Sequence, residues 1–121
     1  MTTTGATNAA GIPTGMLAGT RCPACGRVAT PPEPYGCEQC GALVDTLEPV
    51  ELAAAGTVHG TATVHRHHRP EPATPFTVVE VVLDDGPALK GVLAPGSEPV
   101  VIGDRVAGSV VDGRLELEKV R

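Results

Sequence analysis

From residue 53 onward the apolar positions of this chain read as β-strand. Fourteen of its sixteen valines fall after residue 48, and β-branched side chains favour extended backbone. Residues 57–64 alternate, with Val58, Ala62 and Val64 on one face. Residues 76–83 form an almost unbroken apolar run, the pattern of a strand buried on both faces. Asp85-Gly86-Pro87 then turns the chain, and residues 88–93 return. Residues 104–111 and 114–120 flank Asp112-Gly113, a dipeptide suited to a tight hairpin. In the last strand Leu115 and Leu117 alternate with Glu116 and Glu118, which leaves one face wet. Pro95-Gly96-Ser97 and Pro99 interrupt between the third and fourth strands. Five strands with a break there predict a mainly β chain ending in a small OB-type barrel. A plain meander or an SH3-like barrel fits the alternation nearly as well.

The first half reads differently. Residues 1–16 are rich in Thr, Gly and Ala with no apolar period, and predict a flexible N-terminal tail. Residues 17–21 form a short strand leading into a cysteine-bearing module, residues 22–40. Pro31, Pro32 and Pro34 lie between its two halves, where they preclude a helix and stiffen the connection. Residues 41–52 lead out, with Leu43, Val44, Leu47 and Val50 available to pack. The expected division is a tail over 1–16, a ribbon over 17–48 and a barrel over 49–121.

The module carries the clearest chemistry. Its spacing is Cys22-x2-Cys25, eleven residues, then Cys37-x2-Cys40. Two residues between cysteines let a tight turn aim both sulfurs at one ion, and two such turns supply the corners of a tetrahedron. Gly26 and Gly41 each follow the second cysteine of a pair, where a turn needs positive φ. Pro23 stiffens the first turn, as in a rubredoxin-type knuckle. Four cysteines within nineteen residues favour metal over disulfides in a reducing compartment. Zinc is the expected ion, and iron is the rival for a four-sulfur cage. With all four positions filled by protein, no open position is left for water. The metal is therefore expected to be structural.

Composition narrows the rest. There is no Trp, one Tyr (Tyr35) and one Phe (Phe76), so the core must come from Val, Leu, Ile and Ala. The net charge of −5 is spread along the chain and gives no drive towards a polyanion. No run approaches the ~20 apolar residues of a membrane span. The first ten residues lack a signal peptide's basic and apolar segments, so a cytoplasmic location is expected. His65-Arg66-His67-His68-Arg69 is the other concentration of functional side chains. It reads as a solvated loop, or as a phosphate contact through Arg66 and Arg69. No acid or cysteine close in sequence completes a second metal set there. Asp84-Asp85 precedes Gly86 and is explained by turn chemistry. No nucleophile elbow and no phosphate-cradling Gly loop with Lys are present, so no catalytic residue is assigned.

The order of these features resembles a known family. Leu17-x3-Arg21-Cys22-x2-Cys25-Gly26, then Pro31-Pro32, Cys37-x2-Cys40-Gly41 and Ala55-Gly56-Thr57-Val58, resembles the acyl-CoA-associated zinc-ribbon/OB-fold proteins, long filed as domain of unknown function thirty-five. Val64-His65-Arg66, Pro75-Phe76-x3-Glu80-x2-Leu83-Asp84-x-Gly86-Pro87 and Ile102-Gly103-Asp104-Arg105-Val106 are similar to its barrel segments. The resemblance implies a rubredoxin-like zinc ribbon followed by an OB barrel, with Cys22, Cys25, Cys37 and Cys40 as zinc ligands. It also implies a non-catalytic accessory subunit in lipid or related metabolism. Such a subunit joins a thiolase-like enzyme, a lipid-transfer-protein-type aldolase or thiolase, or a MaoC-type enoyl-CoA hydratase, and helps bind acyl-CoA or shape its channel. One departure stands out: the family commonly opens with an amphipathic helix bearing aromatic residues, and residues 1–16 have none. Two other functions compete. A nucleic-acid-binding OB module needs a basic groove and stacking aromatics, which net −5 and two aromatic residues do not supply, so no nucleic-acid partner is expected. A thioester enzyme using His65 or His67 as base lacks a nucleophile or an oxyanion motif.

Overall fold

The computed structural model describes residues 15–70 and 72–120. Residues 1–14 of the expected tail lie outside these, and its last residue, Met16, opens the first strand. Three strands build the ribbon sheet: β1 (Met16–Arg21), β2 (Val28–Ala29) and β3 (Glu48–Ala53), in the order β2-β1-β3. Residues 48–52, read from sequence as part of a lead-out, form β3 with Ala53 and pair with β1 along its whole length, from Met16↔Ala53 to Arg21↔Glu48. Pro49 is tolerated because β3 is an edge strand.

The remaining strands are β4 (Ala55–Val64), β5 (Phe76–Leu83), β6 (Ala88–Leu93), β7 (Arg105–Val111) and β8 (Arg114–Lys119). They close into a barrel of order β4-β5-β6-β8-β7, with β7 pairing back onto β4. A meander pairs each strand with its successor. Here β8 inserts between β6 and β7 and runs parallel to β6, with Val92↔Glu116 and Leu93↔Leu117 opposite each other. That crossover is the OB arrangement. The β7–β8 hairpin turns at Asp112 (φ 52°) and Gly113 (φ 78°), the paired positive φ that an Asp-Gly type I′ turn requires.

Two strand expectations are corrected. Val58, Ala62 and Val64 do not share a face. The β4–β5 register shifts between Val58 and Gly60, which inserts His59 as a bulge. Opposed residues in an antiparallel pair share a face. Val58 therefore joins the core face with Val81, whereas Ala62 and Val64 lie opposite Val78 and Phe76 on the other side. Nor is β5 buried on both faces. Val79, Val81 and Leu83 are buried, Glu80 is exposed, and Val78 and Val82 are half-buried. A closed barrel strand has one interior face, and the valines on its outer face are covered only by cross-strand neighbours such as Val92.

Ribbon and barrel share one core. Leu17 and Leu52 of the ribbon sheet cluster with Ala54, Val58, Val79, Val81, Leu83, Val100, Val106 and Leu117. Ala54 is the joint. Its N–H donates to the Gly15 carbonyl at 2.8 Å, and its own carbonyl accepts from the Gly108 N–H at 2.9 Å. On the surface, Asp84 does more than turn the chain. Arg105 clasps it with two bonds of 2.6 and 2.8 Å, and holds its carboxyl below the usual carboxylate range. Among the described residues no helix is long and apolar enough to cross a membrane.

Candidate functional site

Two knuckles of the same build carry the four cysteines. In the first, the Cys22 N–H donates to the Arg27 carbonyl at 2.8 Å and the Gly26 N–H to the Cys22 carbonyl at 2.8 Å. In the second, the Cys37 N–H donates to Ala42 at 3.0 Å and the Gly41 N–H to Cys37 at 2.9 Å. Gly26 and Gly41 sit at φ +83° and +80°, the left-handed backbone that closes each turn. Backbone N–H groups then face the sulfurs: Cys25 and Ala24 at Cys22, Arg27 at Cys25, Ala42 at Cys40.

The four Sγ atoms lie within 4.8 Å of one another. Cys22 to Cys40 and Cys25 to Cys37 are each 3.6 Å. A disulfide needs about 2.05 Å, so the cysteines are free thiols. Metal–sulfur bonds of ~2.3 Å in a tetrahedron put neighbouring sulfurs roughly 3.8 Å apart, close to what is found. The group is thus a site fit to hold one metal ion. Cys22 and Cys37, the first of each pair, are buried, and Cys25 and Cys40 are exposed.

Four thiols this close cannot all ionise without a cation among them. Cys22 is drawn down to about 7, chiefly by the Cys25 N–H, with burial opposing. On Cys40 the Ala42 N–H is the strongest single influence and pulls down. Cys22, burial and the remaining thiols together outweigh it and push Cys40 up to about 12. Cys25 is also raised: the Arg27 N–H pulls down, but burial and Cys37 prevail. A divalent cation removes this conflict, so loading expels protons and acid favours release.

Glu33 was not picked out from the sequence. It is only 6% exposed, and its Oε2 accepts from the Glu38 N–H at 2.9 Å and from Arg27 Nε at 3.3 Å. Its own N–H donates to Thr20 Oγ1 at 3.3 Å. Arg27 trails the first knuckle and Glu38 lies inside the second, so the carboxylate ties the two knuckles together while the backbone N–H of the same residue ties them to β1. Its Oε1 is buried without a hydrogen-bond partner. The one signal for it in the sequence was an acid enclosed by prolines between the cysteine pairs. Removing groups that orient metal ligands typically costs 10–100-fold in affinity. Glu33→Ala is therefore expected to release metal on the order of 10–100-fold faster in a chelator competition. A wild-type release rate would show that the carboxylate only fills space.

The His-Arg segment, residues 65–69, is exposed in the β4–β5 loop. The His67 ring meets Phe76 edge-on at 5.4 Å and tilts against His68 at 5.3 Å. Arg66 lines a shallow depression of about 500 Å³ with the three histidines and Thr74. Arg69 lines a different one, of about 450 Å³, with Pro70, Asp112 and Arg114. The two arginines therefore serve separate depressions. Among the described residues the cysteines are the one group of three or more potential metal ligands.

Arg114 also borders an apolar groove of about 380 Å³ with Phe76, Val92, Leu93 and Pro95. Its Nη2 donates to Glu116 at 3.3 Å, while its Nε is buried without a partner. The groove lies where β5, β6, the β4–β5 loop and the β7–β8 hairpin meet, the face with which OB barrels bind ligands. In the sequence Arg114 reads only as the residue after a hairpin turn.

No family profile and no curated protein matches the chain. A solved structure does: "Ltp2-ChsH2(DUF35) aldolase", at 27% identity and a TM-score of 0.68. The likeness supports a DUF35 family assignment for this chain. It covers 85% of this chain and 84% of the other, enough to reach into both the cysteine ribbon and the barrel. The DUF35 protein it matches is named as part of an aldolase.

Proposed function

We propose that this DUF35 chain is a non-catalytic accessory subunit of an acyl-CoA-processing enzyme. It associates with an aldolase-type subunit, or with a related thiolase-like or MaoC-type hydratase subunit, and helps bind acyl-CoA or shape its channel in the cytoplasm. The observation that carries this reading is the near full-length likeness to a DUF35 chain named with an aldolase. The four cysteines hold a zinc ion whose role is structural, because protein sulfur fills every tetrahedral position. The groove beside Arg114 supports the ligand half of the reading. Its walls are apolar, as an acyl or pantetheine chain requires. The arginines of the β4–β5 loop offer planar donors for phosphate.

The test is a mild affinity pull-down of the tagged chain from its own host, with mass spectrometry of what co-elutes. An aldolase-type, thiolase-like or hydratase subunit in near-equal amount is the expected result. An eluate dominated by RNA or DNA would overturn the reading in favour of a nucleic-acid module. For the ligand, Arg66→Ala combined with Arg69→Ala is expected to weaken CoA binding while the melting curve stays in place. Equal binding by the double variant sinks the phosphate role of both arginines.

A further inference from the structure

The turn that follows the second knuckle is ordered, yet it buries nothing. Val44–Thr46 form a single 3₁₀ turn with no buried residue. It is held by the Thr46 N–H and Oγ1 on the Leu43 carbonyl, at 2.9 and 2.6 Å, and by the Leu47 N–H on the Val44 carbonyl at 3.1 Å. The Cys37 N–H on the Ala42 carbonyl ties it to the metal knuckle. On this scaffold Leu43 is 74% exposed, and Val44 is exposed beside it. Tyr35, the chain's one tyrosine, is 94% exposed. Its neighbour Gly36 lies so close that a Cβ there would stand 2.7 Å from the Ala42 carbonyl oxygen and 3.6 Å from the Val44 nitrogen. Tyr35, Leu43 and Val44 therefore share one corner of the ribbon.

A rigid corner that shows a tyrosine and a leucine to water gains nothing for the isolated chain. It is already organised for contact, so docking costs little further ordering. Its charge is one-sided. Between Arg27 and Arg66 the chain has no Lys or Arg; Glu33 is buried against Arg27 and Glu48 pairs with Arg21, which leaves Glu38, Asp45 and Glu51 as the segment's other acids, all exposed. Glu38 and Asp45 are exposed beside the corner. We infer that the Tyr35–Leu43–Val44 corner is the surface by which this chain docks on its aldolase-type subunit. The face it meets is an apolar pocket rimmed by Lys and Arg. The inference rests on the function proposed above. Tyr35 is its anchor, since buried aromatic residues dominate interface energies, and the acids steer the encounter. The β6–β7 loop shows a second exposed pair, Val101 and Ile102, without an aromatic anchor. It serves as the control.

The probe is the purified aldolase-type subunit from the same host. Tyr35→Ala with Leu43→Ser is expected to raise Kd at least roughly 30-fold, the scale of losing a hot spot. Metal content and melting should not change, because both side chains are exposed. Glu38→Lys with Asp45→Lys should slow association and flatten its salt dependence, whereas Ile102→Ser should leave Kd within about twofold. Hydrogen exchange on the wild-type complex should protect residues 35–46, a readout independent of any variant. The proposal is overturned if the Tyr35/Leu43 variant binds as wild type, or if protection is confined to the β6–β7 loop. It is equally overturned if the wild-type chain is a dimer that the variant dissociates, since the occupant would then be a second copy. A wild-type chain that binds no aldolase-type subunit overturns the functional reading together with this surface. Unchanged binding by the variant overturns the surface alone.

Discussion

Cys37→Ser is expected to empty the metal site and unfold the ribbon, residues 22–40. Cys37 is a buried member of the four-cysteine group, and its backbone N–H and carbonyl close the second knuckle. A serine hydroxyl is a poor replacement for a thiolate, so one corner of the tetrahedron is lost. Apart from its metal site, the segment 22–40 has little to hold it: a two-residue β2, the hydrogen bonds of Glu33 and a connection rich in proline. Apparent metal-binding energies in comparable small modules run about 10–16 kcal/mol and are in effect folding energy. The consequence reaches the barrel, because Leu17 and Leu52 belong to the barrel's own core cluster. We expect metal content near zero, loss of amide-exchange protection over the ribbon, and a lower, broader melt for the whole chain. Chelation of the wild type should reproduce this more readily in acid than at neutral pH, since thiolates must be protonated as the metal leaves. A Cys37→Ser protein with full metal content and the wild-type melting curve would refute the structural role.

The part of this molecule legible in the sequence is the part written locally. The knuckles follow from cysteines two residues apart with a glycine behind them, and Gly26 and Gly41 take the positive φ that spacing demands. The β5 and β6 strands follow from an apolar run and the Asp85-Gly86-Pro87 turn behind it, and the hairpin strands from Asp112-Gly113 and the alternation of Leu115 and Leu117 with Glu116 and Glu118. What escaped notice is non-local. Parallel pairing of β6 with β8 joins residues separated by a whole hairpin, and no short pattern encodes it. The bulge at His59 shifts the phase of β4 in mid-strand, so an alternation read straight through assigns Ala62 and Val64 to the wrong face. Residues 48–52 show no strand pattern of their own and become a strand only where β1 is there to pair with. Glu33 and Arg114 matter through partners brought close only by folding: Glu38 and Arg27 for one, Arg69 and the groove for the other.

Gly108→Ala tests the non-local part directly. Gly108 sits in β7 opposite Leu117, and its N–H donates to Ala54 at the joint between ribbon and barrel. A Cβ there would collide with the Glu116 carbonyl oxygen, and would stand 2.7 Å from its carbon and 2.9 Å from Leu117 Cα. These atoms are backbone and cannot turn aside as a side-chain tip would. Either β8 moves away, which loosens the fully buried Leu117, or β7 moves and strains the Ala54 joint. Overpacking of this kind costs about 1–3 kcal/mol and sometimes more, and the upper end is expected here. For a domain of this size that lowers Tm by on the order of 10 °C. Gly56, opposite Leu83, has the same close approach to the Val82 carbonyl and should respond in the same way. The metal site should keep its ion in both variants, because neither glycine touches a knuckle. A Tm within two or three degrees of wild type would mean that the barrel relaxes freely at these crossings, and that the glycines are not what lets it close.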